Sequence, residues 1–177
     1  MVKCFSHFQL RNILHVHVLD ISKRTEKFHL TTYCPRLFSN MEVKAAQIGV
    51  EIRGVDLTSD ISDEMIARFK TDVHTHRLLI FKDQKPISGQ RQVEISKWFG
   101  ELESTFYKHP KSPHPDVFRV SNVASEGCTN VGRTGWHIDG SFMARPFAFS
   151  LYYMATVPRT GDTGKACQPR RPVVLYT

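Results

Sequence analysis

A long stretch of strand-forming residues, PFAFSLYYMATVP at 146–158, limits the possible folds of this chain. Aromatic residues are enriched in β-strands, and this stretch is rich in them. Proline closes the stretch at each end and breaks regular secondary structure there. The sequence therefore predicts a long strand at this point, and with it a fold that contains a β-sheet.

Shorter strands are predicted on the N-terminal side of this stretch. Ile48, Val50 and Ile52 alternate with other residues before Gly54, a pattern typical of a strand that ends in a turn. The apolar run RLLIF at 77–81 and the segment DVFRVSN at 116–122 predict two further strands.

Two helices are predicted between these strands. The first covers SDEMIARFKTDVHTH at 62–76, with Ser62 as its N-cap. His74 and His76 fall at its end, where cationic side chains favour the helix dipole, so we interpret them as capping or packing residues. The second helix lies in ISGQRQVEISKWFG at 87–100, with Ser88 as its cap and a glycine as its stop.

Charge divides the chain into three zones. Residues 1–40 carry six basic and two acidic side chains, residues 41–163 carry fifteen of each, and residues 164–177 carry three basic side chains and no acidic one. We expect a poorly ordered leader, an organised domain and a divergent tail in which prolines and arginines prevent regular structure. The leader is also compatible with a mitochondrial presequence, so we predict a cytoplasmic location with a mitochondrial one as the alternative.

Composition argues against several classes of protein. The middle zone has no net charge, so we expect no nucleic-acid partner despite the overall charge of +7. No apolar run approaches the length of about 18 residues that a membrane span needs. The four cysteines lie far apart, which disfavours a structural zinc site.

The segment GRTGWHIDGSFMARPF at 132–147 carries the most informative side chains. His137 and Asp139 are two residues apart, so on a strand they would face the same side. An imidazole and a carboxylate are two of the three ligands in the two-histidine, one-carboxylate site of ferrous iron. The alternative is a surface loop in which Asp139 caps a turn and His137 packs beside Trp136.

The surrounding segment GWHIDGSF resembles the iron-ligand stretch WHTDxSF of the taurine dioxygenase (TauD/TfdA-like) family of Fe(II)/2-oxoglutarate-dependent oxygenases. Other segments resemble the same family in the same order, over about residues 46–163. They are IGVEIRGVDL, LLIFKDQKPISGQRQVEISKWFGELE, HPDVFRVSN and PFAFSLYYMATVPRTGDT. This ordered set is far more specific than any single motif.

The resemblance implies an α+β, mainly β fold: a double-stranded β-helix (a jelly roll, cupin-like) with flanking helices, here incomplete. It implies that His137 and Asp139 bind Fe(II), and that Thr163 hydrogen-bonds the co-substrate 2-oxoglutarate. The alternative for Thr163 is a simple turn residue, since Gly161 and Asp162 alone would make a turn. Residue 160 is threonine where the family often has glycine, a departure from the family pattern. The expected activity is hydroxylation of a small organic acid or amine, so the expected partner is a small-molecule substrate. No oligomeric state is predicted.

Two expected residues are missing from the chain. In the family a second histidine, well downstream of the carboxylate, completes the iron site, and a later arginine pairs with 2-oxoglutarate. No histidine follows Asp139, and Arg170 and Arg171 come too early to be that arginine. We therefore expect a fragment, a splice product or a faulty gene model. The alternative function is that of a non-catalytic fragment that acts by association or has no function.

Overall fold

The computed structural model describes residues 2–3, 11–19, 41–46, 49–103, 107–121, 123–129, 136–137, 139–140, 142–156 and 173–176. The two helices are α1 (Asp63–His76) and α2 (Gly89–Lys97). The strands described are β1 (Val2–Lys3), β2 (Arg11–Leu19), β3 (Glu42–Ala45), β4 (Val50–Arg53), β5 (Leu78–Phe81), β6 (Glu101–Glu103), β7 (Phe118–Val120), β8 (Trp136–His137), β9 (Phe149–Thr156) and β10 (Val173–Tyr176).

Eight of these strands form one mixed sheet in the order β3-β4-β5-β10-β9-β2-β6, with β7 also paired to β2. Strands β4 and β5 are parallel neighbours joined through α1, and β10 lies parallel between β5 and β9. Strand β9 runs antiparallel to β2, from Arg11 opposite Thr156 to Val18 opposite Phe149. The remaining strands, β1 and β8, form a separate antiparallel pair. A sheet with two helices agrees with the α+β character expected from the sequence.

The main hydrophobic core lies between α1, α2 and the sheet. Phe69 of α1 meets Phe81 of β5 edge to face, with ring centroids 4.9 Å apart. His74, in the last turn of α1, packs its ring against Phe149 of β9 at 5.5 Å. The pattern of apolar residues along α1 therefore serves to cover the β5–β9 region of the sheet, and His74 has the packing role expected for it.

Both predicted N-caps are confirmed. The hydroxyl of Ser62 accepts a hydrogen bond from the Met65 N–H at 3.3 Å, and the hydroxyl of Ser88 accepts one from the Arg91 N–H at 3.1 Å. Helix α1 ends at Arg77, which adopts a left-handed conformation with φ of 66°. Helix α2 ends at Lys97, before the predicted glycine stop, and the chain continues in a tighter turn at 98–99.

Three described strands lie in the two end zones, where the sequence predicted no regular element, and β1 is the shortest of them with two residues. Strand β2 lies inside the expected leader, and β10 lies inside the expected divergent tail. Each has a local signal that was overlooked: RNILHVHVL contains alternating apolar residues, and VVLY is a short apolar, β-branched run. Proline and arginine beside VVLY obscured that run, although proline is tolerated immediately before a strand.

Neither described helix has the length and apolarity that a bilayer crossing requires.

Gln84 fastens the loop after β4 to the segment after β5. Its Nε2 donates to the carbonyl oxygens of Val55 at 2.6 Å and Lys82 at 2.9 Å, while its Oε1 accepts from the Leu57 N–H at 2.9 Å. The Arg91 Nε donates to the Leu57 carbonyl at 2.8 Å. Backbone groups that no sheet ladder satisfies are thus paired by two side chains, Gln84 from the segment before α2 and Arg91 from α2 itself.

Replacement of Gln84 by alanine is expected to destabilise the fold, because three hydrogen bonds to backbone groups are lost at once. With about 1 kcal/mol for each partly buried bond, we expect the free energy of unfolding to fall by roughly 2–3 kcal/mol. Urea denaturation measures this loss as a lower midpoint.

Gln90→Ala is the matched control, because Gln90 is exposed and makes one side-chain bond, to Glu94 at 3.2 Å. It is expected to change the free energy of unfolding by no more than about 0.5 kcal/mol. Equal losses in the two variants would contradict the role assigned to Gln84.

Candidate metal centre

The predicted iron ligands lie where β8 ends. Trp136 and His137 have extended backbones, paired antiparallel to Lys3 and Val2 of β1. Asp139 is no longer in a strand and begins a turn with Gly140. The side chain of His137 lies outside the described part of the chain, so its convergence with Asp139 stays a prediction.

The carboxylate of Asp139 is half-buried and bonded to the sheet. Its Oδ2 accepts a hydrogen bond from the Tyr152 hydroxyl at 3.1 Å. Tyr152 lies on β9 and packs against a small apolar cluster of Phe118, Val120, Cys128 and Met154. Tyr152 was not predicted as a site residue, because the sequence of an aromatic strand does not show which ring will contact a turn from another part of the chain.

Gly140 allows this turn to lie close to the buried Phe147 ring. It is buried, with φ of +67°, and its carbonyl accepts a hydrogen bond from the Met143 N–H at 3.0 Å. A Cβ at this position would lie 2.6 Å from the ring of Phe147, which is only 2% exposed. Glycine is therefore required here both by its backbone conformation and by the close approach of the ring.

The loop after β7 supports the cluster around Tyr152. Its two ends are bound together, since the Ser121 N–H donates to the Cys128 carbonyl at 3.1 Å and the Cys128 N–H donates to the Arg119 carbonyl at 2.9 Å. Within the loop, a hydrogen bond from Lys111, together with the positive charges of Lys111 and Arg119, lowers the pKa of Glu126. The two backbone hydrogen bonds hold Cys128 where it packs against Phe118 and Val120 of β7.

Two further histidines, His109 and His114, bond to other parts of the described structure than Asp139. His109 Nε2 lies 3.1 Å from the Ala124 carbonyl oxygen, and His114 Nδ1 accepts from the Asp116 N–H at 3.1 Å. Both histidines therefore make contacts within their own region of the chain. Thr163 lies outside the described residues.

The donor types of the HxD pair fit ferrous iron, since neutral imidazole and carboxylate both bind it. They do not make a complete site by themselves. Over the described residues, no group of three or more histidine, cysteine, aspartate or glutamate side chains could hold a metal ion. The pair thus contains two of the three ligand types found in a facial triad.

Comparison with known proteins identifies relatives of this chain. A family model described as "Taurine catabolism dioxygenase TauD, TfdA family" matches residues 41–165, a range that includes the HxD pair. The chain is 29% identical over 120 residues to an alpha-ketoglutarate-dependent sulfate ester dioxygenase of Pseudomonas putida. The aligned segment covers 67% of this chain and 38% of that protein. The chain is also 22% identical over 138 residues to an alkylsulfatase of Acinetobacter baylyi. That alignment covers 75% of this chain and 41% of the alkylsulfatase.

The chain thus spans about two fifths of the length of these curated relatives. No solved structure matches it at a significant level.

Gly140→Ala is expected to destabilise the turn that carries Asp139. Left-handed backbone costs alanine about 1–2 kcal/mol, and the clash with the Phe147 ring adds roughly 1–3 kcal/mol for a tightly packed site. Gly54→Ala is the matched control, because Gly54 has φ of 77° but is exposed. Thermal and urea unfolding should therefore show a larger loss for Gly140→Ala. Similar losses in the two variants would show that the ring contact does not constrain the turn.

Proposed function

Because the chain belongs to the TauD/TfdA family of dioxygenases, we propose that it supplies the iron-binding strand and turn of an Fe(II)- and 2-oxoglutarate-dependent dioxygenase. The observation that carries the proposal is the family match across residues 41–165, with the HxD pair inside it at the end of β8. The half-buried Asp139 carboxylate, bonded to Tyr152, supports a metal-ligand role over that of an exposed turn cap.

In this proposal His137 and Asp139 bind the metal ion. His137 follows Trp136 on a paired strand, so the backbone that carries the imidazole is fixed by β1. Asp139 presents its carboxylate from a turn that Tyr152 and Gly140 hold in place. When bound, ferrous iron and 2-oxoglutarate supply the oxygen chemistry that hydroxylates the substrate while 2-oxoglutarate is converted to succinate and carbon dioxide.

Thr163 is proposed to hydrogen-bond a carboxylate of 2-oxoglutarate. The support comes from its position as the last residue of GDT, which resembles the family's turn after the long strand. Along the sequence, Thr163 follows Thr156, the last residue of β9, by seven positions. A threonine hydroxyl can donate one hydrogen bond to a carboxylate oxygen.

The complete family domain is proposed to be a double-stranded β-helix, of which this chain forms only part. Such a fold consists of two sheets packed face to face. The pairing of β8 with β1, outside the eight-stranded sheet, supports this proposal because the ligand-bearing strand belongs to a second sheet. The second histidine and the arginine of the family site would then be contributed by residues that these 177 do not include.

The proposed substrate is a small organic acid or amine. Among acids, a sulfate ester is the first to test, because the two relatives are named as a sulfate ester dioxygenase and an alkylsulfatase. A linear alkyl sulfate and an amine of similar chain length would separate the two classes in one assay of succinate formation.

A non-catalytic role is the alternative, and the incomplete ligand set favours it. No histidine follows Asp139 in the sequence, and the described residues contain no cluster of three candidate ligands. Sheet edges left without a partner can pair with another chain, so a fragment of this fold would act by association.

Anaerobic addition of ferrous iron and 2-oxoglutarate to the purified chain tests the iron-site proposal. We expect a weak visible metal-to-ligand charge-transfer band, because two protein ligands bind iron less firmly than three. His137→Ala is expected to remove the band. His114→Ala is the matched control and is expected to leave it unchanged, since His114 bonds within its own loop.

Admission of air then separates the two candidate functions. Succinate formation that depends on His137 supports an enzyme. Absence of both the band and succinate would exclude an autonomous enzyme and leave the non-catalytic alternative.

A further inference from the structure

We propose that Tyr152 is a positioning residue, whose hydroxyl holds one carboxylate oxygen of Asp139 so that the other oxygen faces the metal ion. The proposal rests on the proposed function, because it assigns Tyr152 a role through a candidate iron ligand. It concerns the direction of a side chain and assigns Tyr152 no contact with the metal or the substrate.

The hydrogen bond defines which oxygen is held. Tyr152 donates to Oδ2 of Asp139 at 3.1 Å, slightly longer than the usual range of about 2.5–3.0 Å for hydroxyl-to-oxygen bonds. An ionised carboxylate can only accept, so the hydroxyl is the donor. A carboxylate held at one oxygen keeps lone pairs at the other, and a single oxygen is sufficient for a metal–carboxylate bond.

The phenol ring is itself fixed by the sheet and by its neighbours. Strand β9 pairs on both edges, with Tyr152 opposite His15 of β2 and opposite Leu175 of β10. The ring packs against the cluster that contains Phe118, Val120 and Met154. A donor mounted on a doubly paired strand moves little, and this rigidity is what a positioning group needs.

The packing of the ring does not account for the hydroxyl. A phenylalanine would fill the same place in this apolar cluster, and the chain uses phenylalanine at 147 and 149 close by. A tyrosine hydroxyl in a partly buried place brings a polar group that needs a partner. The Asp139 carboxylate is such a partner.

Asp139 needs a restraint of this kind because it lies outside a regular strand. Its backbone is in the turn that Gly140 shares, where φ of +67° and the Phe147 ring fix the chain direction but not the side-chain torsions. The Tyr152 hydroxyl supplies a restraint on the carboxylate itself. Loss of such an outer hydrogen bond to a metal ligand typically weakens metal binding about 10- to 100-fold.

Titration of the full 177-residue chain with MnCl₂ tests the proposal without turnover. Free and bound manganese are distinguished by electron paramagnetic resonance, and circular dichroism verifies the fold of each variant. Tyr152→Phe removes only the hydroxyl and keeps the ring in its cluster. Tyr153→Phe is the matched control, because Tyr153 lies next in the strand and packs against the main core.

We expect Tyr152→Phe to weaken manganese binding roughly tenfold and to change the spectrum of the bound ion, because the carboxylate is reoriented. Tyr153→Phe is expected to change neither. The positioning role would be overturned if Tyr152→Phe bound manganese as tightly as the unmodified chain. It would also be overturned if the loss of manganese affinity in Tyr152→Phe were no larger than that in Tyr153→Phe.

The Asp139→Asn variant distinguishes failure of the positioning role of Tyr152 from failure of the proposed function. It is expected to abolish manganese binding. If Asp139→Asn binds as well as the unmodified chain, or if the unmodified chain binds none, the proposed iron site is wrong and the role of Tyr152 falls with it. If Asp139→Asn loses binding while Tyr152→Phe retains it in full, only the positioning role is refuted.

Discussion

The alternation of side chains along β9 organises the structure. Phe149 and Leu151 belong to the main core beneath the helices, and Tyr153 packs against that core. Tyr152 and Met154 belong to the separate cluster beside β7. Because successive residues of a strand face opposite sides, one strand forms the core with one set of side chains and supports the Asp139 turn with the other. A shift of register by one residue would exchange the two sets and destroy both.

The pairing of β9 explains how this single strand can serve both purposes. It is hydrogen-bonded along both edges, to β2 on one side and β10 on the other. Both neighbours come from the ends of the chain, and the sequence analysis expected neither of them to be regular. The middle of the chain therefore supplies the site, and the described parts of the two ends supply the strands that flank its support.

The sequence predicted best those features that depend on neighbouring residues. The caps at Ser62 and Ser88 were predicted because a cap is set by a hydroxyl and an N–H three residues away. The long strand was predicted because its signal is local and strong. The hydrogen bond between Tyr152 and Asp139 was not predicted, because it joins residues from a turn and a strand through the tertiary fold. Strand β10 was missed because prolines and arginines before Val173 outweighed four residues of strand signal.

Alternation along a strand does not by itself account for the position of Asp139. Alternation on a continuous strand would make the two side chains face one side without further help. The described strand, however, ends at His137, and Asp139 lies in a turn with Gly140. Tertiary contacts act on this turn: the Tyr152 hydroxyl donates to the Asp139 carboxylate, and Gly140 lies against the Phe147 ring. A metal ligand in a turn requires such contacts, and for this reason two residues of a motif are weaker evidence than the ordered set of segments around them.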